Sequence, residues 1–230
     1  MFEEVYFVPV VAGLLTGLYH VFSGPDHIAA VAPLAVDAPR KAWKTGFRWG
    51  LGHALGVLFI GVLSLLFRDL IPLNLISDWS ERLIGVFLIA MGFWGIRKAL
   101  LIHAHEHEHN REKHVHLHVH EKKPEANKHE HARFEHKHSH AAFGIGTIHG
   151  LAGSAHFFGV LPAMAFKSAT ESFIYLAAFG LGTIVAMSLF SAALSNATGQ
   201  LSLRTVTGYR NLMCGCSTAA LAIGVFWLTA

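Results

Sequence analysis

The chain has 230 residues, a mean hydropathy of +0.43, 53% hydrophobic and 14% charged residues, and a formal net charge of +3. So apolar a composition excludes an ordinary water-soluble domain of this size and implies an all-α membrane protein. Its modest basic excess is accounted for by the distribution of Lys and Arg between loops, so no nucleic-acid partner is implied.

Stretches nearly free of charge that approach the roughly 20 residues of a bilayer helix lie at 5–25, 49–67, 83–96 (running past Arg97 and Lys98 to about 102), 141–166, 172–203 and 211–230. That predicts about six spans. The chain begins Met1-Phe2-Glu3-Glu4, without the basic start and small-residue cleavage site of a signal peptide. The first span is therefore expected to stay.

Within it, "HVFSGPDH" (20–27) places Asp26 beside His20 and His27. Asp26 is the one acid of 15 that falls inside a span, since an internal repeat match sets 12–36 against 141–165 and carries the first helix past residue 25. An ionised carboxylate at a helix centre costs about 2.5–3.5 kcal/mol on insertion scales, so a partner is required. Gly24-Pro25 removes a backbone donor and predicts a kink or break. His20 and His27, seven residues apart, return to nearly the same helical face. The second span brings a further histidine, His53, near its start.

Between the third and fourth spans, residues 103–140 hold 13 of the 18 histidines: His103, His105, His107, His109, His114, His116, His118, His120, His129, His131, His136, His138 and His140. They alternate largely with Glu, Lys and small residues, a low-complexity composition suited to binding and buffering transition metals. With nothing to build a core, the tract is expected to be disordered without metal.

The fourth span carries "GTIHGLAGSAHFFGVLP" (146–162), which lies over "GLYHVFSGPDHIAAVAP" (17–33) at an offset of 129. The two share G-x-x-H-x-x-x-G-x-x-H-x-x-x-V-x-P, so His149 and His156 repeat His20 and His27. Asp26 has Ala155 as its counterpart, and the second copy has no acid. At an offset of 130, "GLG" recurs at 50–52 and 180–182; the third spans match only as "GFW" against "GVFW". A unit of three spans that repeats must enter the membrane from the opposite face. The expected architecture is thus a 3+3 inverted repeat, with a first repeat over 1–102, a cytoplasmic His-rich loop over 103–140 and a second repeat over 141–230, and a site near the midplane between the halves.

The last span holds the only cysteines, Cys214 and Cys216. Their C-x-C spacing is neither a redox nor a zinc-ribbon pair, and they read as packing residues. Lys and Arg divide 15 to 3 between the two sides if the N-terminus is outside, which predicts a bacterial inner (plasma) membrane protein with a cytoplasmic His-rich loop.

Imidazole with carboxylate suits Ni²⁺, Co²⁺, Zn²⁺, Cu²⁺ or Fe²⁺, whereas Mg²⁺ and Ca²⁺ call for oxygen ligands. The candidate metal ligands are His20, Asp26, His27, His53, His149 and His156. A lone intramembrane histidine is often no more than a helix-to-helix hydrogen bond, and Asp with His also suits a proton relay; both alternatives stand beside the metal site. No nucleophile triad, phosphate loop or paired carboxylate occurs, and neither an enzyme nor a prosthetic group is expected.

"HVFSGPDH" and "GTIHGLAGSAHFFGVLPA" (146–163) resemble the signature blocks of the nickel/cobalt transporter family, particularly its small UreH-like branch. One departure is that five residues, not four, separate His20 from Asp26. The resemblance implies transport of Ni²⁺ or Co²⁺ (Zn²⁺ also fitting the ligands), with His20, Asp26 and His27 as ligands. Importers and exporters share the signature; the His-rich loop resembles that of efflux members and favours export. The competing expectation is a membrane-anchored metal store or chaperone that supplies a metalloenzyme such as urease through residues 103–140. A thiol-electron carrier of similar small architecture is disfavoured, because the chain has no C-x-x-C.

Overall fold

With no water in hydrocarbon, a helix is the element that satisfies every backbone group within one segment, and apolar runs here fold accordingly. The computed structural model describes residues 2–37, 41–67, 73–109, 112–119, 134–151, 156–201 and 206–229. Among them lie eight α-helices: α1 (Phe2–Ser23), α2 (Pro25–Asp37), α3 (Ala42–Leu66), α4 (Leu73–Leu101), α5 (Phe134–Leu151), α6 (Leu161–Met164), α7 (Ala169–Leu201) and α8 (Val206–Thr229). Stretches of α1, α3, α4, α7 and α8 are long and apolar enough to cross a membrane. Phe7, Leu15, Phe59, Phe93 and Phe226 are each more than half exposed on them, as lipid-facing side chains are. The chain is an all-α, multi-pass membrane protein.

Among the described residues five such helices stand against the six expected spans, and the difference falls at 141–166. There α5 supplies only Ala141–Leu151 as an apolar run. A five-residue π-helix (His156–Val160) and the four-residue α6 follow. Gly153 and Pro162 lie in this stretch, and both residue types weaken a continuous helix.

The first predicted helix is broken rather than merely kinked. α1 ends at Ser23, and α2 opens on Pro25, whose missing N–H costs nothing at a first helical position. At the join, the Gly24 amide donates to the His20 carbonyl (3.1 Å) and the His27 amide to the Gly24 carbonyl (3.2 Å). α7 starts with a reciprocal cap: the Glu171 amide donates to Ser168 Oγ (3.1 Å) and the Ser168 amide to Glu171 Oε2 (3.3 Å).

The main helix pairings are α1 with α7, α5 with α3, α3 with α7, and α4 with α8. Exchanging α1 for α5, α3 for α7 and α4 for α8 returns the same set. Glycines make the first two crossings backbone to backbone. A Cβ on Gly17 would strike the Phe179 carbonyl, and one on Gly146 the Trp49 carbonyl. A Cβ on Gly52 would meet the Phe143 carbonyl and the Thr147 amide; one on Gly182 would meet the Leu14 carbonyl and the Leu18 amide. These partners stand in the 129 and 130 offsets of the sequence match. Small residues four apart, Gly13 with Gly17, Gly52 with Gly56 and Gly146 with Gly150, permit such close approach in membranes. The largest core cluster packs Val21, Leu34, Trp49, Leu88 and Met187 in the space between.

Parts of the His-rich tract, expected to be disordered without metal, are ordered among the described residues. Strand β1 (Ile102–His109) pairs antiparallel with β2 (Glu112–Val119), the only strands among the described residues. Period-two alternation suits a strand, and the register sets His103 opposite His118, His105 opposite His116, and His107 opposite His114. At its far end the tract overlaps α5, so 134–140 is helical. His120, His129 and His131 lie outside the described residues.

Candidate metal centre

Four chain segments converge on one buried point. His20 comes from the last turn of α1, Asp26 and His27 from the first turn of α2, His53 from α3, and His149 from the last turn of α5. All five side chains are at least 98% buried. The helix breaks account for this placement: α1 ends and α2 starts at the site, so the acid sits at a helix N-terminus, where the helix dipole favours negative charge.

Asp26 is held from two sides. Its Oδ1 lies 3.0 Å from His27 Nδ1 and its Oδ2 lies 3.0 Å from His149 Nε2. Gly24 makes room for this fold-back, because a Cβ there would stand 2.5 Å from His27 Nδ1 and 2.7 Å from Asp26 Oδ1. The rings crowd together, with centroids 4.3 Å apart for His20 and His27, 5.0 Å for His27 and His53, 4.6 Å for His27 and His149, and 5.5 Å for His20 and His53. Two triads have ligand atoms within 4.8 Å of one another: His20 with His27 and His53, and Asp26 with His27 and His149.

The aromatic wall around the cluster is what sequence reasoning missed. Trp49 stacks on His53 at 5.1 Å with an interplanar angle of 8°, and lies 5.2 Å from the His149 ring. Phe179 and Phe158 flank His20 at 5.4 and 5.6 Å. Trp49 precedes His53 by four residues on one helical face, the only signal in the sequence that joins them. His156 opens the π-helix, but its side chain lies outside the described residues, as do those of all the tract histidines.

Six ring nitrogens of this cluster have no hydrogen-bond partner: both of His20, both of His53, Nε2 of His27 and Nδ1 of His149. Buried polar atoms are nearly always satisfied. A set of unshared imidazole lone pairs beside one carboxylate is the donor chemistry of a transition-metal site. Cys214 and Cys216, both partly buried, pack instead beside Tyr209, Met213 and Val36.

Residues 8–225 match the family described as cytochrome C biogenesis protein transmembrane region. The chain is 30% identical over 214 residues to the chloroplast protein FOR GROWTH AND FERTILITY 2 of Arabidopsis thaliana, a match covering 93% of this chain and 54% of that one. The chloroplast protein FOR GROWTH AND FERTILITY 1 of Arabidopsis thaliana is 31% identical over 214 residues, with 93% of this chain and 56% of that one covered. The chain thus spans about half the length of these relatives. It is also 31% identical over 185 residues to the urease accessory protein UreH of Bacillus sp. (strain TB-90), covering 78% of this chain and 72% of that protein. No solved structure matches.

Proposed function

The chain belongs to the cytochrome C biogenesis protein transmembrane region family, in a membrane branch shared with UreH, and we propose that it moves a divalent transition metal, Ni²⁺ or Co²⁺, across the membrane. The observation that carries this is the buried cluster of four histidines around Asp26, with six ring nitrogens left without partners. UreH is named as a urease accessory protein, and urease-linked supply is a use for nickel that fits the same site. The resemblance of both signature blocks to nickel/cobalt transporters supports the choice of ion, and the cytoplasmic tract favours export.

Imidazole binds metal only in its deprotonated form, so protons exchange naturally against the ion. Access alternates by rocking of 1–102 against 141–230 about the site. In proteoliposomes of known orientation, ion flux should fall to the empty-vesicle rate for Asp26→Ala and for His53→Ala at equal incorporation. Wild-type flux in either variant sinks the site assignment.

The register that sets histidine positions of β1 opposite histidine positions of β2 favours one second reading, a membrane-anchored store or chaperone in which the helices serve as an anchor. Deleting 103–140 separates the two. A transporter keeps its flux with altered affinity or regulation, whereas a store loses its effect on cellular metal entirely.

A further inference from the structure

The hydrogen bonds of Asp26 divide the five side chains into those that touch the ion and those that do not. A carboxylate only accepts hydrogen bonds, and each Asp26 oxygen faces one ring nitrogen, His27 Nδ1 or His149 Nε2, at 3.0 Å. Both nitrogens must donate. A neutral imidazole has a single N–H, so the lone pair of His27 lies on Nε2 and that of His149 on Nδ1. His27 Nε2 is buried and unpartnered, and His27 groups with His20 and His53, whose four ring nitrogens are unpartnered as well.

We propose that, in the transport site inferred above, the ion is held by His20, His53 and Nε2 of His27, and that Asp26 is a positioning residue rather than a ligand. It fixes the tautomer and ring angle of His27 through one oxygen and ties α5 to α2 through the other, on His149. A carboxylate behind a metal-binding histidine orients the ring and raises its basicity. Gly24, with no room for a Cβ against either partner, keeps that carboxylate folded back. Three neutral nitrogen ligands select borderline ions over Mg²⁺ and Ca²⁺, and the coordination positions they leave open suit an ion that has to depart.

The test reads coordination rather than transport. Full-length protein in detergent is titrated with Co²⁺, whose visible absorption reports the ligand set, and the spectrum of His20→Ala/His53→Ala, with its tract intact, is subtracted. The difference band should vanish in His20→Ala and in His53→Ala. Asp26→Asn should keep the band position while binding about 10–100-fold more weakly, and His149→Ala should keep the band too.

A band that moves or disappears in Asp26→Asn, with gel-filtration elution unchanged, makes Asp26 a ligand and overturns the inference. His149→Ala carries the same test where Asp26→Asn fails to fold, and loss of the band there overturns it equally. Should the double variant bind Co²⁺ with the wild-type spectrum, the transport site itself is wrong, which is a different failure.

Discussion

At the scale of single residues, Asp37 shows how α2 is fixed at the end opposite the histidine cluster. Lys98 of α4 forms an ion pair with it, and the hydroxyl of Tyr209 on α8 donates to the same Oδ1 at 3.3 Å. Lys98 also lies over the Trp94 ring at 5.2 Å. Asp37 is only 9% exposed at its side chain, so removing a partner leaves a poorly hydrated charge. Tyr209→Phe should lower stability by about 0.5–1.5 kcal/mol, and Lys98→Met by more, measured as the thermal midpoint in one detergent. Equal midpoints for wild type and Lys98→Met would show that the pair holds nothing. Of this trio the sequence reveals the charges but not the meeting, because Asp37, Lys98 and Tyr209 come from three helices far apart in the chain. Asp26 is legible for the opposite reason. One acid in an apolar stretch is conspicuous by cost alone; His20 and His27 do meet, but across the break at Gly24 that puts them on two helices, and not through the shared face of one helix that their spacing predicts.

Among elements, the glycine crossings carry a sharp expectation. Gly52 and Gly182 each press backbone on backbone, at related places in the two halves. Alanine at either should destabilise by about 1–3 kcal/mol, the usual range for overpacking, and the two losses should be similar. Gly144, on α5, is the control, because a Cβ there would meet nothing within 4 Å. At that position alanine should stabilise the helix by about 0.5–1 kcal/mol. Thermal unfolding of the three variants checks all of this, and a Gly182→Ala protein as stable as Gly144→Ala would contradict the crossing. The repeat is legible at these positions because close helix approach restricts residue choice. The break in the first span is legible in Gly24-Pro25, whereas the end of the apolar run of α5 at Leu151 is not, since hydropathy over 141–166 measures apolar length alone. The hairpin at 102–119 is hidden because a tract without a core reads as unstructured, whatever its alternation.

For the molecule as a whole, the 15 to 3 division of Lys and Arg fixes an expectation about sidedness. A protease should cut within 103–140 in inside-out vesicles and leave the tract whole in right-side-out ones; the reverse pattern would invert the proposed orientation. Helix pairing is symmetric under exchange of the halves, yet the halves are not alike where they meet the site. The first offers a long α1, a one-residue break and the 13-residue α2, while the second offers α5, a π-helix and the four-residue α6. The same packing scheme thus holds two different shapes of one motif side by side. Under the rocking motion proposed above, each half adopting the shape of the other would give the second of the two alternating conformations.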